Sequence, residues 1–112
     1  MQSATQEKNS SKSANALHID EYQLKKGALV FRAINHKLRQ KMLALIARSG
    51  EISVTHIYVR LRIEQSVASQ HLAILRAARL VNTRREGKKI FYSVNFDRVK
   101  ELHDVANALL EA

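Results

Sequence analysis

The residues that could do chemistry lie mainly between positions 65 and 89, where short polar side chains are followed by a series of cations. Gln and Ser side chains form hydrogen bonds with base edges, and the amide of Gln can bond adenine through a donor and an acceptor together. The candidates for base recognition are Gln65, Ser66, Ser69 and Gln70. Val67, in the same segment, could contact a thymine methyl group or be an ordinary surface residue.

Cations in this part of the chain are candidates for contact with phosphates. They are Arg76, Arg79, Arg84, Arg85, Lys88 and Lys89. The last four flank Gly87, and a tight turn that carries four cations has a suitable shape to reach the minor groove of DNA or its phosphates. Arg76 or Arg79 taken alone could equally be a solvent-exposed arginine. Together these residues predict double-stranded DNA as the partner.

The positive charge of the protein is concentrated in the middle of the chain. The 112 residues carry 19 Lys and Arg against 10 Asp and Glu, a formal net charge of +9. Between Arg32 and Lys89 there are 13 basic and three acidic residues, so the rest of the chain is nearly neutral. Such charge can belong to a merely solvated face. Its segregation away from the termini favours a folded surface that binds a polyanion.

Several classes of function are excluded by what the sequence lacks. A chain without Cys forms no disulfide, cysteine-type zinc site or thiolate nucleophile. It has no Gly-rich phosphate loop, no His-Glu-x-x-His segment and no nucleophile beside an obvious base, so we do not expect an enzyme or a cofactor. It also has no apolar segment typical of a signal peptide or a membrane span. We therefore expect a cytoplasmic protein with no membrane partner.

Hydrophobic periodicity divides the chain into a tail and one domain. Residues 1–17 contain almost no large apolar side chains and are predicted to be a disordered tail. Residues 18–112 are predicted to form a DNA-binding and dimerisation domain. A first helix is predicted over residues 18–35, and a second over residues 37–49 that ends at Gly50.

The second half of the domain has the order of a winged helix-turn-helix. Ser53 is a suitable N-cap for a short third helix, and a fourth helix begins at about Gln65 after an interruption at residues 62–64. Apolar residues then alternate on both sides of Gly87, which indicates a β-hairpin, and a fifth helix starts at Phe96. The predicted fold class is mainly α (α+β), with five helices and a two-stranded hairpin as the wing.

The segment SVTHIYVRLRIEQSVASQHLAILRAARLVNTRREGKKIFYSV resembles the winged helix-turn-helix of ArsR/SmtB-type bacterial transcriptional regulators. The most specific part is Gln-Ser-x-x-Ser-x-His-Leu at residues 65–72, and the resemblance covers roughly residues 30–94. It implies a homodimer that represses transcription by binding operator DNA, and a structural role for His71. The chain departs from the family at Arg62, where Gly is usual, at Glu64, where Ser or Thr caps the helix, and at Tyr58, where Ala is common.

Apolar positions on the first and last helices are candidates for the two-fold interface, although they could instead close the core of the monomer. They are Leu24, Phe31, Val99, Leu102, Ala106, Leu109 and Leu110. The family's Cys-x-Cys metal site corresponds to Ser53 and Thr55, and its terminal-helix site lacks a second ligand pair after Asp97, so no metal site is expected. The effector is unknown. The alternative function is a winged-helix protein for protein contact or non-specific DNA packaging.

Overall fold

Five helices and three short strands make up residues 16–111, the part of the chain that the computed structural model describes. In chain order they are α1 (Glu21–Ile34), α2 (Lys37–Ser49), β1 (Ile52–Ser53), α3 (Val54–Leu61), α4 (Gln65–Ala77), β2 (Val81–Glu86), β3 (Lys89–Val94) and α5 (Phe96–Leu110). The fold is the predicted winged helix-turn-helix. The disordered tail predicted for residues 1–17 lies almost entirely outside the described residues.

Side-chain caps set the starts of the first two helices, and a glycine ends the second. The predicted first helix began too early, because Asp20 is its N-cap and accepts a hydrogen bond of 3.0 Å from the N–H of Gln23. Helix α2 has the predicted bounds. The ring of His36 caps its start, and Gly50 ends it with φ of 76°, a conformation that favours glycine.

The turn between α3 and α4 is made without glycine. Ser53 caps α3 as predicted, accepting a 3.3 Å hydrogen bond from the N–H of His56. Arg62 ends that helix in the left-handed region, with φ of 57° and ψ of 46°. Glu64 precedes α4 and makes no side-chain cap hydrogen bond. The departures noted at Arg62 and Glu64 are therefore accommodated by backbone strain and by a weaker cap.

The wing is part of a three-stranded antiparallel sheet in the order β1-β3-β2, not an isolated two-stranded hairpin. Strand β1 has two residues and pairs Ile52 with Tyr92, both of which are buried. Gly87 makes the β2–β3 turn with φ of 63°. Because β1 joins the hairpin to the segment between α2 and α3, the base of the wing is fixed to the helical part of the domain.

The core lies between the helices and the inner face of this sheet. Its largest fully buried side chains are Met42, Leu45, Ile46, Ile57, Leu72, Leu75 and Leu80. Helix α4 contributes Ala68, Leu72 and Leu75, which recur at helical spacing and bury one face of that helix. Helix α5 enters the core through Leu102. Its start is fixed by its N-cap Asn95, whose backbone N–H donates to the carbonyl of Leu80 at 3.0 Å.

We predict that Arg62→Gly raises the free energy of unfolding by up to about 1 kcal/mol. An L-residue in the left-handed region destabilises the folded state by about 1–2 kcal/mol, and Gly removes this strain. The greater entropy of Gly in the unfolded chain offsets part of the stabilisation. The matched control is Arg60→Gly within α3, which should lower the free energy of unfolding by about 0.5–1 kcal/mol. Urea denaturation measures both changes. Equal losses in the two variants would show that Arg62 carries no backbone strain.

Candidate nucleic-acid interface

The outward face of α4 carries the residues predicted to contact bases. Burial of the opposite face in the core leaves Gln65, Ser66, Ser69 and Gln70 exposed to solvent. Val67 is half-buried, which leaves less of its side chain available for a contact than the exposed polar residues have. The exposed groups are hydrogen-bonding side chains at the first turns of a helix, as contact with base edges in a major groove requires.

A groove of about 740 Å³ runs between α4, the start of α3 and the wing. Gln65, Ser69 and Arg76 line it from α4, and Lys88 and Lys89 line it from the tip of the wing. The structure therefore brings five of the predicted residues to one concave surface, although they lie up to 24 positions apart in the sequence. The groove combines hydrogen-bonding groups with three cations.

Arg84 has partners that the sequence did not suggest. Its Nε donates to Glu51 Oε2 at 3.0 Å, its Nη2 to Glu51 Oε1 at 2.8 Å, and its Nη1 to Glu86 Oε1 at 3.1 Å. The guanidinium also lies 4.7 Å from the ring centre of Phe91. The hydrogen bond from Arg84 lowers the pKa of Glu51, and the bonds to Glu51 and Glu86 raise the pKa of Arg84. Two carboxylates thus already balance a cation that we predicted to bind phosphate.

The other cations of the wing are placed differently. Side chains alternate between the faces of a strand, and Arg85 pairs with Ile90, so it lies on the face of the hairpin opposite to Arg84. Arg85, Lys88 and Lys89 are exposed, and within residues 16–111 they form no ion pair. These three side chains retain their full charge for a polyanion.

Arg79 does not join the groove. It follows the end of α4 in the left-handed region, with φ of 62°, and its carbonyl accepts a 3.0 Å hydrogen bond from Asn95 Nδ2. It lines a separate hollow with Asn95, Asp97, Arg98 and Glu101. Helical periodicity could not reveal this position, because the helix ends before Arg79 and the chain changes direction there.

The predicted interface residues fall into two groups. Leu24 of α1 and Leu109 and Leu110 of α5 are between 62% and 83% exposed. Phe31, Val99 and Ala106 are half-buried, and Leu102 is 7% exposed because it packs into the core of its own chain. The first group and further exposed large apolar residues are here called the uncovered apolar surface of α1 and α5. Those further residues are Tyr22, Leu29 and Val105.

Ser53, which corresponds to the first Cys of the family's Cys-x-Cys metal site, takes part in hydrogen bonds at the start of α3. Ser53 Oγ lies 2.9 Å from His56 Nδ1 and caps α3. Across the described part of the chain, no three His, Asp or Glu side chains come together as metal ligands would. The same residues contain no helix that is both long and apolar enough to span a bilayer.

Comparisons with known proteins place this geometry among bacterial regulators. Residues 36–83 match the model of the family described as bacterial regulatory protein, arsR family. The chain is 34% identical over 84 residues to the transcriptional activator HlyU of Vibrio cholerae, which covers 75% of this chain and 77% of HlyU. It is 38% identical over 82 residues to the biofilm growth-associated repressor of Agrobacterium fabrum, covering 73% of this chain and 69% of the repressor.

A solved structure supports the same assignment. The structure of HlyU from Vibrio cholerae superposes with a TM-score of 0.62 at 33% sequence identity. The match covers 80% of this chain and 97% of that one. The likeness therefore extends over nearly the whole of the HlyU domain, and it includes more of the chain than the helix-turn-helix alone.

We predict that Arg85→Ala and Arg84→Ala have different effects on the salt dependence of binding to random-sequence duplex DNA. Both variants remove one positive charge. The slope of log K against log salt should fall by about 1 for each Arg85 that contacts a phosphate, because fewer counterions are released. The slope should stay nearly constant for Arg84→Ala, whose guanidinium has carboxylate partners. Fluorescence anisotropy over a salt series measures both slopes, and equal reductions would contradict this division of the wing.

Proposed function

This chain belongs to the ArsR family of bacterial regulatory proteins, and we propose that it is a homodimeric repressor that reads operator DNA with α4 and binds flanking phosphates with the wing. The family assignment makes it a DNA-binding transcriptional regulator and not an enzyme. The repressor role, the homodimer and the assignment of individual residues are the parts proposed here.

The observation that carries the proposal is the shared groove. Gln65 and Ser69 approach it from α4, and Lys88 and Lys89 approach it from the wing. A helix inserted in a major groove needs polar side chains toward the base edges, and a neighbouring hairpin needs cations toward the backbone. One surface supplies both, at positions that the packing of α4 and the pairing of β1 with β3 keep fixed.

Base recognition and phosphate binding are assigned to different residues. Gln65, Ser66, Ser69 and Gln70 are proposed to contact base edges. Arg76, Arg85, Lys88 and Lys89 are proposed to contact phosphates, whereas the pairing of Arg84 and the position of Arg79 make those two weaker candidates. If a dimer neutralises ~6–10 phosphates, its affinity should fall by about 10³–10⁵ between 50 and 200 mM salt.

The uncovered apolar surface of α1 and α5 supports the homodimer. A soluble protein seldom exposes such large apolar residues together unless they meet a partner, and a two-fold axis lets the same surface serve both chains. The dimer would place two α4 helices about 34 Å apart on one face of the duplex. The expected operator is therefore roughly palindromic.

The sign of regulation and its trigger are further parts of the proposal. The relatives include proteins named as an activator and as a repressor. We favour repression, in which the bound dimer excludes polymerase from the promoter, and in vitro transcription from the target promoter should decrease when the protein is added. Thiolate ligands for a soft metal are missing from the sequence, so we propose either a repressor without a small effector or one that binds another kind of molecule near the dimer interface. A cytoplasmic location follows from the DNA partner.

The rival function is non-specific DNA packaging on the same fold. Selection from a pool of randomised duplexes with the purified protein separates the two. A regulator should bind the selected palindrome at least ~10³-fold more tightly than random DNA, whereas a packaging protein should show no such preference. A ratio near one would contradict operator recognition.

We predict that Gln70→Ala changes base preference, because a bidentate amide contact contributes about 1–3 kcal/mol of discrimination between bases. Affinity for the selected site should fall while affinity for random DNA stays the same. Arg85→Ala is the control, and it should weaken binding to both duplexes by the same factor. Competition titrations measure the ratios, and the assignment is wrong if the two variants give the same pattern.

We also predict that Leu109→Glu converts the dimer to a monomer. Leu109 is 71% exposed on α5, and a carboxylate there would be buried without a partner in a two-fold interface. Val59→Glu is the matched control, since Val59 is 59% exposed on α3, away from the apolar surface of α1 and α5. Sedimentation velocity at micromolar concentration reports the assembly state. A monomeric parent protein would contradict the proposed homodimer.

A further inference from the structure

A buried arginine joins α4 to two other helices. Arg39 of α2 is only 7% exposed, and its guanidinium makes three hydrogen bonds. Its Nε donates to the carbonyl of Ala33 at 2.6 Å and its Nη2 to the carbonyl of Arg32 at 3.0 Å, both at the end of α1. Its Nη1 lies 3.1 Å from Nδ1 of His71, which is on α4 beside Gln70.

These contacts fix the protonation of His71. An arginine side chain has donors and no acceptor, so Nδ1 of His71 must present its lone pair, and its proton is carried by Nε2. His36 lies next to this contact, and its Nδ1 accepts the N–H groups of Leu38 at 3.2 Å and of Arg39 at 3.5 Å. The two rings lie 4.9 Å apart. The contact with Arg39 therefore requires the imidazole of His71 to be neutral.

The charged groups around His71 all oppose its protonation. Partial burial lowers the pKa of His71, and electrostatic repulsion from the neighbouring His36 and Arg39 lowers it further. Both of these neighbours belong to α2 or its cap, and no carboxylate of residues 16–111 forms an ion pair or hydrogen bond with His71 or Arg39. A proton on Nδ1 would remove the hydrogen bond from Arg39 and place a second cation beside it.

We propose that Arg39 is a positioning residue for the DNA-reading helix, acting through His71, and that protonation of His71 in mild acid releases α4 and weakens operator recognition. The inference rests on the proposed function of α4. Arg39, His36 and His71, here named the Arg39 cluster, connect α1, α2 and α4 at one point. Release at that point would alter the orientation of Gln70, the neighbour of His71, without removing any DNA contact directly.

The expected direction distinguishes this mechanism from general electrostatics. Acid adds positive charge to histidines, and that alone strengthens binding to every duplex. The Arg39 cluster predicts instead that the ratio of operator affinity to random-DNA affinity falls as pH falls. Folding stability should change in the same direction. A histidine with a lowered pKa in the folded state binds protons more readily when unfolded, so stability is complete above about 6.5, the ordinary histidine value, and decreases as pH falls below it toward the lowered pKa.

Two measurements on the full chain test the proposal. NMR of the imidazole resonances should show His71 titrating below a histidine in an unstructured peptide, with Nε2 protonated at neutral pH. The affinity ratio between the selected palindrome and random DNA should fall about tenfold between about pH 7.5 and about pH 5.5. A ratio that is constant with pH, or His71 protonated on Nδ1 at neutral pH, would overturn the inference. Failure to bind any duplex at any pH would overturn the proposed function instead, and the NMR titration would still be measurable.

Variants separate positioning from a simple loss of folding. His71→Asn keeps an acceptor for Arg39 but does not titrate, so its affinity ratio should no longer change with pH. The control is His103→Asn on α5, an exposed histidine outside the cluster, which should keep the parent pH dependence. Arg39→Met should lose the dependence together with part of the base preference. If Arg39→Met fails to fold, His71→Asn decides alone, and pH dependence that persists in it would overturn the inference.

Discussion

The packing of α4 into the core is the interaction on which the rest of the DNA-facing surface depends. Ala68, Leu72 and Leu75 are buried together, because they lie on one side of the helix and belong to the hydrophobic core. Their burial fixes which side chains point outward. The polar face is thus a consequence of the apolar one, and a rotation of the helix would expose core residues and bury Gln and Ser groups together.

The wing is held by a different balance of forces. Its base is fixed by the pairing of β1 with β3, and its outer face by the ion pairs of Arg84 with Glu51 and Glu86. Exposed ion pairs contribute little stability, so the strand pairing carries more of the attachment. The ion pairs matter more for charge, since they balance Arg84, whereas Arg85, Lys88 and Lys89 form no ion pair within residues 16–111.

Local patterns were sufficient to predict most of the fold. The periodicity of α2 and α4, the cap at Ser53 and the turns at Gly50 and Gly87 all depend on residues within a few positions of one another. The partners that were missed are distant in sequence: Glu51 lies 33 residues from Arg84, and Arg39 lies 32 residues from His71. Strand β1 has two residues, too few for alternation to be recognised. The residue types that line the groove could be predicted from the sequence. Which cations are paired with carboxylates, and which lie away from the groove, could be seen only in the folded chain.

Asn95 connects α5, which carries part of the proposed dimer interface, to the segment that follows α4, the proposed DNA-reading helix. Its amide donates to the carbonyl of Arg79, its backbone N–H donates to the carbonyl of Leu80, and its side-chain oxygen caps α5. The start of α5 is therefore hydrogen-bonded to the two residues that follow the C-cap of α4. In the proposed dimer, a small change in the crossing angle of the two α5 helices would be transmitted through Asn95 to the distance between the two α4 helices. The packing of the two subunits would therefore set the half-site separation that the dimer can bind.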